Sequence, residues 1–162
     1  MSTRSEKVKI FTQESLNINL PDKPRKMTRE EVFFIVKMNC EELMELLATV
    51  NNGISNPKED LLDIVNNKTK TPEIKNLTNN EIIAEQVDAF VDIDYYNCNA
   101  ACKVGMNVDG VFDLVHQANM NKKFEDGTFH KNNEGKIIKP ENWKEANLVE
   151  IIENWKEFGT WA

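Results

Sequence analysis

Histidine and cysteine are scarce in this chain: two histidines, His116 and His130, and three cysteines, Cys40, Cys98 and Cys102, among 162 residues. A di-iron helical bundle wants a Glu-x-x-His string on each of two helices, and the chain has none. The cysteines are odd in number and lack C-x-x-C spacing, and Cys40 falls among apolar positions. That pattern points to reduced thiols in a cytoplasmic protein. No apolar run approaches the roughly 18 residues of a membrane span. The first ten residues are charged and polar, which predicts no signal peptide. There is no P-loop, no Gly-rich dinucleotide fingerprint and no internal repeat. Positive charge is in deficit, with 20 Lys and Arg against 27 Asp and Glu, a net charge of −7. This argues against a nucleic-acid polymer or an anionic membrane as partner. An anionic small molecule would need metal ions or a local basic cluster to bind.

What the chain does have is helical periodicity over a length suited to one domain, expected to span 1–162. A first short helix is predicted over 4–16, with Val8, Phe11 and Ser15 inward. Pro21 and Pro24 then hold a connector extended. Thr28-x-x-Glu31 is a capping box, with Met27 and Val32 as its hydrophobic staple. The helix it opens should reach about Val50, with Val32, Val36, Cys40, Leu43, Leu47 and Val50 as its core stripe. Residues 51–79 are rich in Asn, Lys and Thr and read as loop, with one short helix over 59–65. A long helix follows, from Thr78 or Asn79 to Lys103, ended by Gly105. Another covers 106–121. Turn chemistry at Asp126-Gly127 and Glu134-Gly135 predicts an ordered loop or small hairpin. Asn147-x-x-Glu150 caps a last helix, whose Leu148, Ile151, Ile152 and Trp155 should dock it.

The long helix is the centre of the argument. Ile82, Ile83, Val87, Phe90, Val91 and Ile93 gather on one side, and Glu81, Glu85, Asp88 and Asp92 form a stripe on the other. Like charges three and four apart repel by a few tenths of a kcal/mol per exposed pair. Water, a basic partner or a metal ion has to offset that. Asp94 falls on the apolar side and needs a donor. The earlier helix carries a second acid pair, Glu42 and Glu45, with Glu41 beside it. Phe34, Ile35 and Met38 lie on the same side of that helix, which a purely solvated face would not carry. Packed antiparallel, the two helices could bring four carboxylates around one space. Such a space, untenable when dry and unpaired, suits Mg²⁺, Mn²⁺ or Ca²⁺; without His or Cys ligands it does not suit zinc. His116 reads as a packing or exposed residue. Phe33, Phe34, Tyr95 and Tyr96 read as core or dimer packing, with base stacking as the other use of such rings.

E-E-L-M-E (41–45) followed by E-Q-V-D (85–88) resembles the E-E-x-x-E … E-x-x-D signature of the all-α nucleoside triphosphate pyrophosphohydrolases. That superfamily includes MazG proteins, dimeric dUTPases, dCTP pyrophosphatases and phosphoribosyl-ATP pyrophosphohydrolase. A-N-M-N-K-K (118–123) and G-K-I-I-K-P-E-N-W (135–143) are similar to segments of its MazG-like, phosphoribosyl-ATP-pyrophosphohydrolase-like members. The gap of 39 residues between Glu45 and Glu85 is longer than the family usually shows, and 51–79 looks like the insertion. The resemblance implies an all-α, four-helix-bundle-like MazG-type fold with short peripheral helices, assembled as a homodimer or higher homo-oligomer. It implies Mg²⁺-dependent hydrolysis of a nucleoside triphosphate, most simply a deoxynucleotide, to monophosphate and pyrophosphate, in a nucleotide-pool role. Glu42, Glu45, Glu85 and Asp88 would hold Mg²⁺, or Mn²⁺ in its place. Glu41 would support those ligands or serve as base for the attacking water, and Asp92 could take either part. Asn119 and Lys122, with Lys123 as a weaker candidate, would touch the nucleotide or its phosphates. Phosphoribosyl-ATP or another pyrophosphate-containing substrate is the alternative within the family. A non-catalytic helical interaction module is the alternative outside it.

Overall fold

The computed structural model describes residues 3–51, 56–73 and 75–153. Its elements are α1 (Arg4–Leu16), α2 (Arg29–Asn51), α3 (Pro57–Asp63), α4 (Asn79–Lys103), α5 (Val108–Met120) and α6 (Leu148–Glu153). A single π-helical turn, Ile64–Lys68, prolongs α3. Among the described residues there are two isolated β-bridges and no strand, so the expected all-α class holds. The chain divides into two compact units, one of Lys23–Phe90 and one of Met1–Asp22 with Val91–Ala162.

In the Lys23–Phe90 unit the capping box of α2 forms as the sequence predicts. The Thr28 hydroxyl accepts from the Glu31 amide at 3.2 Å, and Glu31 accepts from the Thr28 amide at 2.8 Å. Arg25 clamps the same carboxylate through two bonds of 2.6 and 2.8 Å. Met27 is half-buried, and its amide donates to Gln86 Oε1 at 2.9 Å. That bond ties the entry of α2 to the second turn of α4. A second capping box starts α4, where the Thr78 amide and hydroxyl donate to Glu81 and the Glu81 amide returns a bond of 3.4 Å. The T-x-x-E signal was there to be read at Thr78. The helix predicted over 59–65 begins two residues earlier, because Asn56 caps it and Pro57 opens its first turn; Pro suits that position, where the missing N–H costs nothing. This short helix packs on α2.

The predicted core stripe of α2 is only partly covered. Val32, Cys40 and Leu47 are half-buried, while Val36 is 53% and Leu43 44% exposed. No described residue of Lys23–Phe90 is buried. The stripe is real as a periodicity, but among the described residues of this unit it is only partly covered, with α3 packed on α2.

In the other unit α1 packs on α5. Phe11 meets Phe129 edge-on at 5.3 Å, and Ser15 is buried. Val8, expected inward, is 45% exposed. Asp94 finds its donor in Arg4 at 3.8 Å, and Arg4 also pairs with Asp109. Gly105 ends α4 with φ +77°, a left-handed conformation that costs Gly little. The 124–146 segment is two tight turns, each closed by one bridge, Lys123 with Phe129 and Lys131 with Ile137. Gly127 and Gly135 take φ of +78° and +83° there. On α6, Asn147 and Glu150 exchange bonds of 3.1 and 3.3 Å and Ile151 is buried, whereas Leu148 and Ile152 are exposed. Trp155 lies outside the described residues. No helix among the described residues is long and apolar enough to cross a membrane.

Candidate functional site

Both acid pairs sit on regular helix, so their spacing is set by the 3.6-residue turn. Glu42 and Glu45 are exposed on α2; Glu41 beside them is half-buried. Glu85 and Asp88 are exposed on α4, and Asp92 follows one turn later, also exposed. Lys75 approaches Glu85 at 3.6 Å. At such exposure this pair is worth ~0–1 kcal/mol, so it leaves the carboxylate able to serve elsewhere.

The chemistry of the donor set fits a hard divalent cation, being all carboxylate oxygen. Its placement within one chain is another matter. Among the described residues no three His, Cys, Asp or Glu come together as a metal-holding group. The Met27–Gln86 bond lies beside the second acid pair. It places Gln86 at the entry of α2, and Glu42 stands roughly 20 Å further along that helix at 1.5 Å per residue. Within this unit α3 packs on α2, and α4 meets the entry of α2 through Gln86.

A basic cluster forms in the other unit, where Asn119 and Lys122 close α5. Lys122 donates to Asn119 Oδ1 at 2.6 Å, and both are half-buried. Trp143 pins the returning loop beneath them: its indole N–H donates to the Ala118 carbonyl at 2.7 Å. The Lys122 ammonium lies 5.5 Å and the Lys139 ammonium 4.3 Å from the Trp143 ring centroid. An indole face attracts cations, so one ring gathers two positive charges in an acidic protein. Lys139 and Trp143 were part of the sequence motif but had no assigned role; an aromatic placed to stack cations shows only in three dimensions. Lys123 points elsewhere. It pairs with Glu14 at 2.6 Å and lies 5.5 Å from the Phe129 ring centroid, joining α1 to the loop.

The remaining candidates take packing or surface positions. His116 stacks on Phe112, ring to ring at 6.2 Å. Phe33 lies under the Arg29 guanidinium at 4.3 Å. Phe34, Tyr95 and Tyr96 are exposed. His130 was not singled out by the sequence. It stacks on Phe124 at 4.0 Å and bonds Asp126 at 2.8 Å. That bond, with the Thr128 amide and hydroxyl, lowers the Asp126 pKa to about 2. All three cysteines are free thiols.

The sequence profile of phosphoribosyl-ATP pyrophosphohydrolase matches residues 12–119. No curated protein is similar enough to stand as a relative. Among solved structures, a proposed NTP pyrophosphohydrolase from Exiguobacterium sp. 255-15 superposes with a TM-score of 0.76 at 23% identity. The match covers 96% of this chain and 98% of that one. At that identity the likeness establishes a shared fold.

Proposed function

Because the chain belongs to the phosphoribosyl-ATP pyrophosphohydrolase family, we propose that it hydrolyses a nucleoside triphosphate to the monophosphate and pyrophosphate. The observation that carries this reading is that the family match takes in both acid pairs and Asn119. Water adds across the α–β phosphoanhydride, the bond to the β-phosphate breaks, and pyrophosphate leaves. Glu42, Glu45, Glu85 and Asp88 would hold Mg²⁺, or Mn²⁺. Such an ion would supply charge neutralisation for the phosphates and activation of the attacking water. Glu41 or Asp92 would take the water's proton. Lys122, held by Asn119 at 2.6 Å, supplies point charge for the phosphates, with Lys139 beside it on the same indole. Lys123 is committed to Glu14 and has the weaker claim.

The protein works as a cytoplasmic homodimer in this reading. The support is the exposed apolar surface on α2 and α4, which includes Phe33, Leu46 and Val87; fully burying a Leu or Phe is worth ~1.5–3 kcal/mol. The family's own name favours one second reading, phosphoribosyl-ATP as substrate. One experiment separates them. The purified protein is incubated with Mg²⁺ and each common dNTP, NTP and phosphoribosyl-ATP, and pyrophosphate and orthophosphate are assayed separately. Pyrophosphate with monophosphate from one nucleotide names the substrate. Orthophosphate alone, or no turnover of any of them, overturns the reaction class.

A further inference from the structure

We infer that Trp143 is the positioning residue of a two-lysine clamp, holding the Lys122 and Lys139 ammonium groups together for the diphosphate portion of a nucleotide. The inference rests on the phosphate reading of Lys122 above and deepens it. It makes Lys139 a contact in its own right, names the diphosphate as the group held, and assigns the ring that sets the pair. The ring itself is anchored twice. Its indole N–H donates to the Ala118 carbonyl at 2.7 Å. That carbonyl belongs to the last turn of α5, where carbonyls have no partner within the helix. The Trp143 amide donates to the Pro140 carbonyl at 3.0 Å, so a tight turn over 140–143 folds the chain back against the end of α5. Lys139 stands at the mouth of that turn, and a residue before proline is held extended. The turn brings the Lys139 ammonium to 4.3 Å from the ring centroid, and the end of α5 brings that of Lys122 to 5.5 Å.

Two ammoniums gathered in this way repel one another, and lysine stems are long and mobile. An indole face carries the negative side of the ring quadrupole, so it offsets the repulsion and restrains both stems at once. Asn119 adds a second restraint on Lys122, accepting from its ammonium at 2.6 Å. Lys139 is exposed where Lys122 is half-buried, so the ring matters more to Lys139. A charge already held in place loses less freedom when a ligand arrives. Two such charges at one ring suit an anion with two charged ends, and a diphosphate is such an anion. Each ammonium takes an oxygen of one phosphate through a bond of about 2.7–2.9 Å, and the anhydride spans the gap between them. Orthophosphate has one charged end and gains less from the pair. The protein as a whole, at a net charge of −7, does not draw anions by its overall field, so the attraction has to be local.

The test compares two ring variants that lose the same hydrogen bond. Trp143→Phe and Trp143→Leu both delete the bond to the Ala118 carbonyl, and only Trp143→Phe keeps an aromatic face. Inorganic pyrophosphate is the probe, titrated by calorimetry into the full chain in chelator-treated buffer so that no divalent ion contributes. Urea unfolding reports the fold. Trp143→Leu should weaken pyrophosphate binding about fivefold or more, and Trp143→Phe about twofold or less. Orthophosphate should bind wild type more weakly than pyrophosphate. Lys139→Gln shows whether ring and lysine act as one unit. It should weaken pyrophosphate binding about fivefold in the wild-type chain and less than about twofold in Trp143→Leu, a coupling that independent residues do not show. Equal losses in the Phe and Leu variants make Trp143 a structural anchor only and overturn the inference. An equal effect of Lys139→Gln in both backgrounds overturns it too, as does orthophosphate binding as tight as that of pyrophosphate. Lys139→Gln changes an exposed side chain, so it keeps the test open even where Trp143→Leu does not fold; undiminished pyrophosphate binding in Lys139→Gln refutes the clamp by itself. Wild type that binds no pyrophosphate also overturns the clamp and leaves the hydrolysis to its own turnover assay. Pyrophosphate binding with the expected variant pattern, but without turnover of any nucleotide, overturns the hydrolysis and leaves the clamp standing.

Discussion

Neutralising Glu85 should leave the apo protein's stability almost unchanged and remove its response to divalent metal. In the absence of metal Glu85 faces Glu81 one turn before it and Asp88 three residues on, and meets Lys75 at 3.6 Å. Each like-charge pair costs a few tenths of a kcal/mol; the exposed ion pair returns ~0–1 kcal/mol. These nearly cancel. For a chain of this length 1 kcal/mol shifts Tm by ~2–4 °C, so Glu85→Gln should melt within ~2 °C of wild type. With Mg²⁺ at about a hundred times its Kd, wild type gains ~2.7 kcal/mol, or ~5–11 °C. Glu85→Gln should gain almost none of this. Thermal melts followed by circular dichroism, at one protein concentration with and without Mg²⁺, read both quantities. A Glu85→Gln protein that keeps the full metal shift refutes the ligand assignment. One that loses more than ~5 °C without metal shows that Glu85 serves the fold.

Other outcomes follow from single contacts. Trp143→Phe keeps a ring beneath Lys122 and Lys139 but deletes the 2.7 Å bond to the Ala118 carbonyl, and should cost ~1 kcal/mol in urea unfolding. Thr28→Ala removes the cap of α2 and should also cost ~1 kcal/mol, with no change in α1, when amide exchange is followed residue by residue. Acid should weaken the fold over a defined window. Arg25 and the Thr28 amide hold Glu31 down to about 2 from an ordinary 4.5, and the His130, Thr128 set does the same for Asp126 from 3.8. A carboxylate lowered by folding adds stability above its unfolded pKa, and this is lost as pH falls towards the folded value. Urea midpoints should therefore fall between about pH 4.5 and 2, and Arg25→Gln should flatten that fall.

Much of this molecule was legible in its amino-acid order because its signals are local. Thr28-x-x-Glu31 and Asn147-x-x-Glu150 cap helices where they should, and Gly105 ends α4. The acid pairs needed only the helical repeat. Burial was harder to read, because periodicity shows which residues share a face and says nothing of what covers it. Val8, Val36 and Leu43 share faces as expected and remain exposed. The meeting of α2 with α4 was the least legible feature. It depends on which partner Gln86 takes and on where the 51–79 segment lies, and a polar side chain bonding an amide 59 residues away leaves no periodic trace. The stacking of Lys122 and Lys139 on Trp143 is hidden for the same reason.

Under the proposed homodimer, the lack of any buried residue among the described part of Lys23–Phe90 would tie this protein's folding to its abundance. If a second copy covers that segment, the segment would have no fixed stability of its own. Each tenfold dilution removes about 1.4 kcal/mol of the dimer's free energy. A cell making few copies would hold a larger share of them half-formed, with Leu46 and Val87 open to proteases and chaperones. Dosage alone would then set how much of the protein persists.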